Sequence, residues 1–122
     1  MTTRDELFQR GEAIRRQLQP RPPASATPSA ASAIAGMARL TGEVVFGALW
    51  SRPGLALQHR MTCTLSVLSV LQLLPQLRTY LNGALNVGLS KQEVVEVLMH
   101  TAPYGGFPKA LNALTRAQEV LG

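Results

Sequence analysis

Proline sets the strongest limit on what this chain can fold into. Pro20, Pro22, Pro23 and Pro28 crowd into PRPPASATPSAAS (residues 20–32), while Pro53, Pro75, Pro103 and Pro108 are spread along the rest. Proline has no amide donor and a fixed φ, and inside a helix it costs about 3 kcal/mol or more. The stretch 20–32 therefore cannot be helical, and its Ala/Ser remainder has little to bury. Between the other prolines lie segments with apolar residues at helical spacing and no credible pair of strands.

The spacing predicts a first helix over 4–18, with Leu7, Ile14 and Leu18 along one edge. A second covers 33–49, with Met37, Leu40, Val44 and Val45 expected inward, and stops at SRPG (51–54), where Pro53 pushes Arg52 toward extended backbone. A third, LQHRMTCTLSVLSVLQL (57–73), is apolar almost all round after Arg60. It is expected to be the central, most buried helix, with Cys63 a small buried residue; its β-branched and serine content leaves a strand as the alternative. A fourth covers 76–87, with Leu77, Leu81, Ala84 and Leu85 on one stripe and Gly88 suited to a left-handed cap. The sequence SKQE at 90–93 is a capping box for a fifth helix, Lys91 to about Ala102. Pro103 and Gly105-Gly106 interrupt it, and Pro108 suits the first turn of a last helix over 108–121.

These segments make an all-α, compact bundle of about six helices. The chain of 122 residues, poor in aromatics, suits one small close-packed domain. The expected organisation is an N-terminal helix plus Pro/Ala/Ser-rich linker over 1–32 and a helical domain over 33–122. The linker lays the first helix away from its sequence neighbours and, in an oligomer, within reach of another subunit.

The formal net charge is +5, which raises nucleic acid as a partner. The arginines are scattered from Arg4 to Arg116, with no basic run interleaved with aromatics and no DNA-binding motif spacing, so no nucleic-acid role is expected. Arginines facing an acidic small molecule explain the charge as well. Cys63 is the only cysteine, which excludes an intrachain disulfide, a CxxC redox pair and a cysteine-rich zinc site. His59 and His100 lie far apart without a ligand pattern, and no metal is expected. The N-terminus is charged and amphipathic, unlike a signal peptide. The apolar run TCTLSVLSVLQLLP falls short of the ~20 residues of a membrane span. The expectation is a soluble cytoplasmic protein with no membrane partner.

Three stretches, FGALWSRPGL (46–55), LRTYLNGALNVGLSKQEVVEVLMH (77–100) and TAPYGGFPKALNAL (101–114), occur in an order and spacing that resemble the carboxymuconolactone decarboxylase family. The resemblance covers about residues 40–121. It implies an all-α subunit that assembles into trimers or hexamers, and cofactor-free removal of CO₂ from a carboxylated lactone. The related alkylhydroperoxidase D-like branch uses a CxxC pair, which Cys63 alone cannot form. Two departures stand out. Relatives usually carry an acid where Ala48 stands and a histidine where Tyr80 stands. His100, the stretch around Tyr104, Arg52 and Arg60 match the family.

Cofactor-free decarboxylation needs a carboxylate that is held and desolvated, an electron sink, and donors for the enolate that forms. Arginine suits the first need, its planar fork matching a carboxylate; histidine or tyrosine suits proton transfer. The candidate catalytic residues are thus Tyr80, Arg52 and His100, with Tyr104, Trp50 and Arg60 as candidate substrate contacts. Each has a plainer alternative. Arg52 can cap the preceding helix, and Arg60 can form a structural ion pair. His100 can be a satisfied core or helix-end residue, Tyr104 a packing residue, and Trp50 a core or interface anchor. Tyr80 stands at the edge of an apolar stripe and needs a partner for its hydroxyl. With an ordinary pKa of about 10, against about 6.5 for histidine, tyrosine is a donor rather than a base at neutral pH. Glu43, one turn before Gly47, stands either as a partial replacement for the lost acid or on a solvated helix face. Two functions remain open. One is a small enzyme that decarboxylates, isomerises or cyclises an acidic or carbonyl-bearing substrate through an enolate. The other is a ligand-binding or assembly protein that kept the fold and lost the chemistry.

Overall fold

The structure, a computed structural model, describes residues 1–19 and 30–122. Residues 20–29 of the proline-rich stretch lie outside the described residues, while Ala31 and Ser32, expected in the non-helical linker, already belong to a helix. Among the described residues every regular element is a helix, with no strand, so the segment expected as a helix over 57–73 is one, over Leu57–Val70. The chain divides into two compact units, Met1–Gly54 and Leu55–Gly122.

The first unit opens with α1 (Arg4–Leu18). Its start is fixed by a capping box that the sequence reading did not single out: the Thr3 hydroxyl accepts from the Glu6 amide at 3.1 Å, and the Glu6 carboxylate accepts from the Thr3 amide at 3.2 Å. The next helix, α2 (Ala31–Leu40), runs without a break into a wider helix, Thr41–Trp50, with i→i+5 backbone bonding. Such widening is rare. It changes which side chains share a face. Gly42, Glu43, Phe46, Gly47 and Trp50 are buried. Of the expected inward set, Met37, Leu40 and Val44 are exposed and Val45 is half-buried.

α1 packs along the wide helix of its own chain. The contact is backbone against backbone. A Cβ on Gly11 would stand 1.9 Å from the Gly42 carbonyl oxygen, and one on Gly47 would stand 2.0 Å from that of Leu7. Only glycine permits this approach. The continuous helix Ala31–Trp50 is long and apolar enough, by length and composition, to cross a membrane. Its charged residues Arg39 and Glu43 are ion-paired to α1.

The second unit contains α3 (Leu57–Val70), α4 (Leu74–Asn86), α5 (Lys91–His100), the single turn α6 (Ala102–Gly105) and α7 (Phe107–Leu121). Met61, Leu65, Leu77, Leu81, Val94 and Leu98 are fully buried, each contributing about 1.5–3 kcal/mol through the water it leaves. α3 buries one stripe, Met61, Leu65 and Ser69, rather than its whole circumference; Val67 and Cys63 are exposed. Buried Ser69 is satisfied by Thr101, whose hydroxyl donates to the Leu98 carbonyl at 2.7 Å. The capping box at Ser90 forms as the sequence predicts, with the Glu93 amide donating to the Ser90 hydroxyl at 3.0 Å and the Ser90 amide to the Glu93 carboxylate at 2.9 Å. Gly88 takes its left-handed cap at φ +102°.

The turn between α3 and α4 holds a feature that the sequence conceals. Gln72 has φ +57°, a conformation that non-glycine residues rarely adopt. Its side-chain amide donates to the carbonyls of Ser69 (2.6 Å) and Lys109 (3.0 Å) and accepts from Asn112 at 2.7 Å. Two of these hydrogen bonds pin the turn to α7 and the third ties it back to α3, which together offset the strain.

Two pairs of variants test these assignments in urea unfolding. Gly47→Ala lowers stability by about 1–3 kcal/mol or more, because a methyl is forced into backbone. Gly36→Ala, where nothing lies within 4 Å of the added carbon, raises it by about 0.5–1 kcal/mol through helix propensity. Ser90→Ala costs about 1 kcal/mol and Ser66→Ala, mid-helix, less than about 0.5 kcal/mol.

Candidate functional site

The wide helix delivers two of the candidate residues. Trp50, 4% exposed, packs on Phe46 with ring centroids 5.7 Å apart and planes tilted by 58°. It is a core side chain of the first unit. The helix then closes: the Ser51 hydroxyl donates to the Gly47 carbonyl at 2.5 Å and the Arg52 amide to the Leu49 carbonyl at 3.1 Å. Arg52 follows on the exposed turn before Pro53.

Ala48, where the family resemblance leads one to expect an acid, is exposed, whereas Glu43 is 3% exposed. Glu43 is therefore neither on a solvated face nor a stand-in for the missing acid. Its Oε2 accepts from Arg4 Nε (3.3 Å) and Nη2 (3.2 Å), and its Oε1 from Arg39 Nε (3.2 Å). Arg39 also donates to Asp5 at 2.6 Å and lies 4.3 Å over the Phe8 ring. A carboxylate out of water costs several kcal/mol, and only charged, well-oriented donors offset that. The two guanidiniums on Glu43 supply them. The Arg39–Glu43 spacing of four is a visible sequence signal for part of this cluster; the contributions of Arg4, Asp5 and Phe8 come from α1 and have no local signature.

The remaining candidates belong to the second unit. Arg60 sits in the first turn of α3, half-buried, and His59 beside it is exposed. Tyr80 is half-buried on α4, between the buried Leu77 and Leu81 and close in sequence to the exposed Arg78, Thr79 and Asn82. Arg78 is paired with Glu119 at 3.5 Å, and Glu119 also with Arg116 at 3.0 Å. His100 ends α5 and Tyr104 stands on α6. The structure brings these two together, ring centroids 5.5 Å apart and planes tilted by 44°. Neither is a core residue: His100 is exposed and Tyr104 is 80% exposed. Phe107 and Leu111 are exposed on the following helix. Gly105 is where the chain comes in close, since a Cβ there would meet the Val70 side chain at 2.5 Å.

Chemically, Arg52 offers an anion-binding fork on an exposed turn. Tyr80 offers a hydroxyl at the border of an apolar stripe, and His100 a proton-transfer group beside a second phenol. Among the described residues, no group of three or more His, Cys, Asp or Glu side chains is placed to hold a metal ion.

Comparison with known proteins now adds to the geometry. The profile of the carboxymuconolactone decarboxylase family matches residues 25–119, so α1 lies outside the match. The chain is 37% identical over 75 residues (62% of this chain, 56% of the relative) to the 4-carboxymuconolactone decarboxylase of Acinetobacter baylyi. It is 30% identical over 82 residues (67% and 57%) to the nitrosuccinic acid decarboxylase of Metarhizium robertsii. It is also 35% identical over 80 residues (64% and 60%) to an uncharacterized 15.0 kDa protein of Paracoccus denitrificans. The matches thus span somewhat more than half the length of these relatives. With a profile match that runs from before α2 to the last turns of α7, and an all-helical structure to go with it, the chain belongs to the carboxymuconolactone decarboxylase family.

Proposed function

We propose that this protein is a decarboxylase-like enzyme that acts on a small carboxylated substrate through an enolate or an equivalent stabilised carbanion, without a cofactor. The observation that carries this reading is the similarity to two decarboxylases named for different acids. Their substrates share a design: a carboxylate whose departing electron pair a lactone carbonyl or a nitro group can accept. In the proposed reaction the C–C bond to the carboxylate breaks, CO₂ leaves, the pair moves onto the acceptor group, and a proton then returns to carbon. Arg52 holds the carboxylate. Tyr80, where the resemblance leads one to expect histidine, donates a hydrogen bond to the developing oxyanion. His100, with Tyr104 beside it, handles the proton, and Arg60 supports the anionic substrate. We place the enzyme in the cytoplasm.

The same reading includes assembly of several copies. No residue of α2 is buried, and Ile34 and Met37 on it are exposed, as are Phe107 and Leu111 in the second unit. Such faces are common at association surfaces. A trimer or hexamer of the 13.2 kDa chain is the expected mass in light scattering.

One observation favours a second reading, a ligand-binding protein without turnover: Glu43 is committed to two arginines and does not replace the acid absent at Ala48. Assay of CO₂ release from 4-carboxymuconolactone and from nitrosuccinic acid separates the two. The enzyme reading expects release from at least one. It also expects a loss of about 10²-fold or more in kcat/KM for Arg52→Ala and Tyr80→Phe, with folding intact. Thermal stabilisation by either acid without CO₂ release supports the second reading. Full activity in both variants overturns the assigned roles.

A further inference from the structure

We infer that Glu43 is a positioning residue: through Arg4 and Arg39 it seats α1 on the wide helix and so sets the backbone that carries Trp50, Ser51 and Arg52. The functional weight of Arg52 rests on the reading above; the positioning itself rests on geometry. Three contacts link Glu43 to that backbone in sequence. Its carboxylate, 3% exposed, grips Arg4 of α1 at 3.2 Å and Arg39 of α2 at 3.2 Å. This fixes α1 lengthwise, with Arg39 further tied to Asp5 and laid on Phe8. One to two turns along, α1 lies directly on the wide helix, the Leu7 carbonyl where a Cβ of Gly47 would be and Gly11 against Gly42 and Gly47. The Gly47 carbonyl then receives the Ser51 hydroxyl, and the next residue is Arg52.

The wide helix is the element that most needs this support. Its i→i+5 bonding is intrinsically less favoured than α, and it carries two glycines, the poorest helix formers after proline. α1 supplies the packed surface against which the wider turn is held. Because α1 lies outside the residues matched by the family profile, this dependence belongs to the chain's own N-terminal helix. A purely structural Glu43 would contribute to overall stability alone; a positioning Glu43 acts locally on residues 41–52.

Trp50 is the only tryptophan and reports on this backbone directly. The test compares the wild-type chain with Glu43→Gln, Arg4→Ala and Arg4→Lys, below the melting temperature of each. The readouts are hydrogen exchange, Trp50 emission and steady-state kinetics on the two carboxylic acids. Glu43→Gln and Arg4→Ala are expected to speed exchange in both 4–18 and 41–52 by about tenfold or more, leaving 74–121 unchanged. Trp50 emission shifts to the red, and KM for the turned-over acid rises by about tenfold while kcat stays within about twofold. Arg4→Lys restores most of each. Should Glu43→Gln fail to fold, Arg4→Ala, on a largely exposed arginine, still decides. Faster exchange in α1 with 41–52 and Trp50 unmoved overturns the inference, as does uniform acceleration across the chain. If the wild-type protein releases CO₂ from neither acid, the functional reading falls, while exchange and emission still decide the positioning role.

Discussion

Where α1 crosses the wide helix, main chain meets main chain with no side chain between, and the first unit depends on that contact. Gly11, Gly42 and Gly47 leave no volume to compress, so the two helices have one spacing and one register. Packing of this kind is rigid but not strongly attractive, since glycine buries little apolar surface. The attraction comes from side chains around it, among them the buried carboxylate of Glu43 with its two guanidiniums. The ion cluster's own net contribution is modest, because desolvation takes back much of the Coulomb gain. Its effect is specificity, as the charges meet at one sliding position of α1 and at no other.

The second unit is held differently. Its fully buried side chains are almost all apolar, and its buried polar residues are satisfied locally, Ser69 by Thr101 and Thr101 by the end of α5. Loops are short and chemically specified, by a left-handed glycine at 88, a capping box at 90 and the pinned glutamine at 72. This is a conventional aliphatic core, and it leaves the aromatic His100–Tyr104 pair and Phe107 outward rather than inward.

How far the sequence could be read follows the same division. Features governed by nearest neighbours were legible: the helical segments, the Ser90 box, the Gly88 cap and Pro108 in the first turn of α7 each depend on residues within one turn. Features governed by another element were not. Met37, Leu40 and Val44 have helical spacing and read as an inward face, yet they are exposed, and the face that α1 covers is the one that carries Gly42 and Gly47. Glu43 reads as a solvated acid because Arg4, which completes its pairing with Arg39, is more than thirty residues away. Cys63 reads as buried because α3 is apolar all round, and only the number of helices available to cover it decides which stripe goes inside. The candidate residues were legible by family resemblance, which assigns positions but says nothing of Trp50 being core or His100 and Tyr104 being neighbours on the surface.

The contact between Gly105 and Val70 binds two positions thirty-five residues apart into a single volume. A methyl at 105 has no room while a β-branched residue occupies 70. The same methyl would be accommodated if 70 were alanine. The two sites therefore carry a shared constraint that neither shows alone, and in diverging copies of this fold a larger residue at one position is tolerated only after a smaller one has appeared at the other. The order of such changes matters: the deletion at 70 opens a cavity that a packed core tolerates at a cost, whereas the addition at 105 first would drive α6 off α3 and take Tyr104 with it.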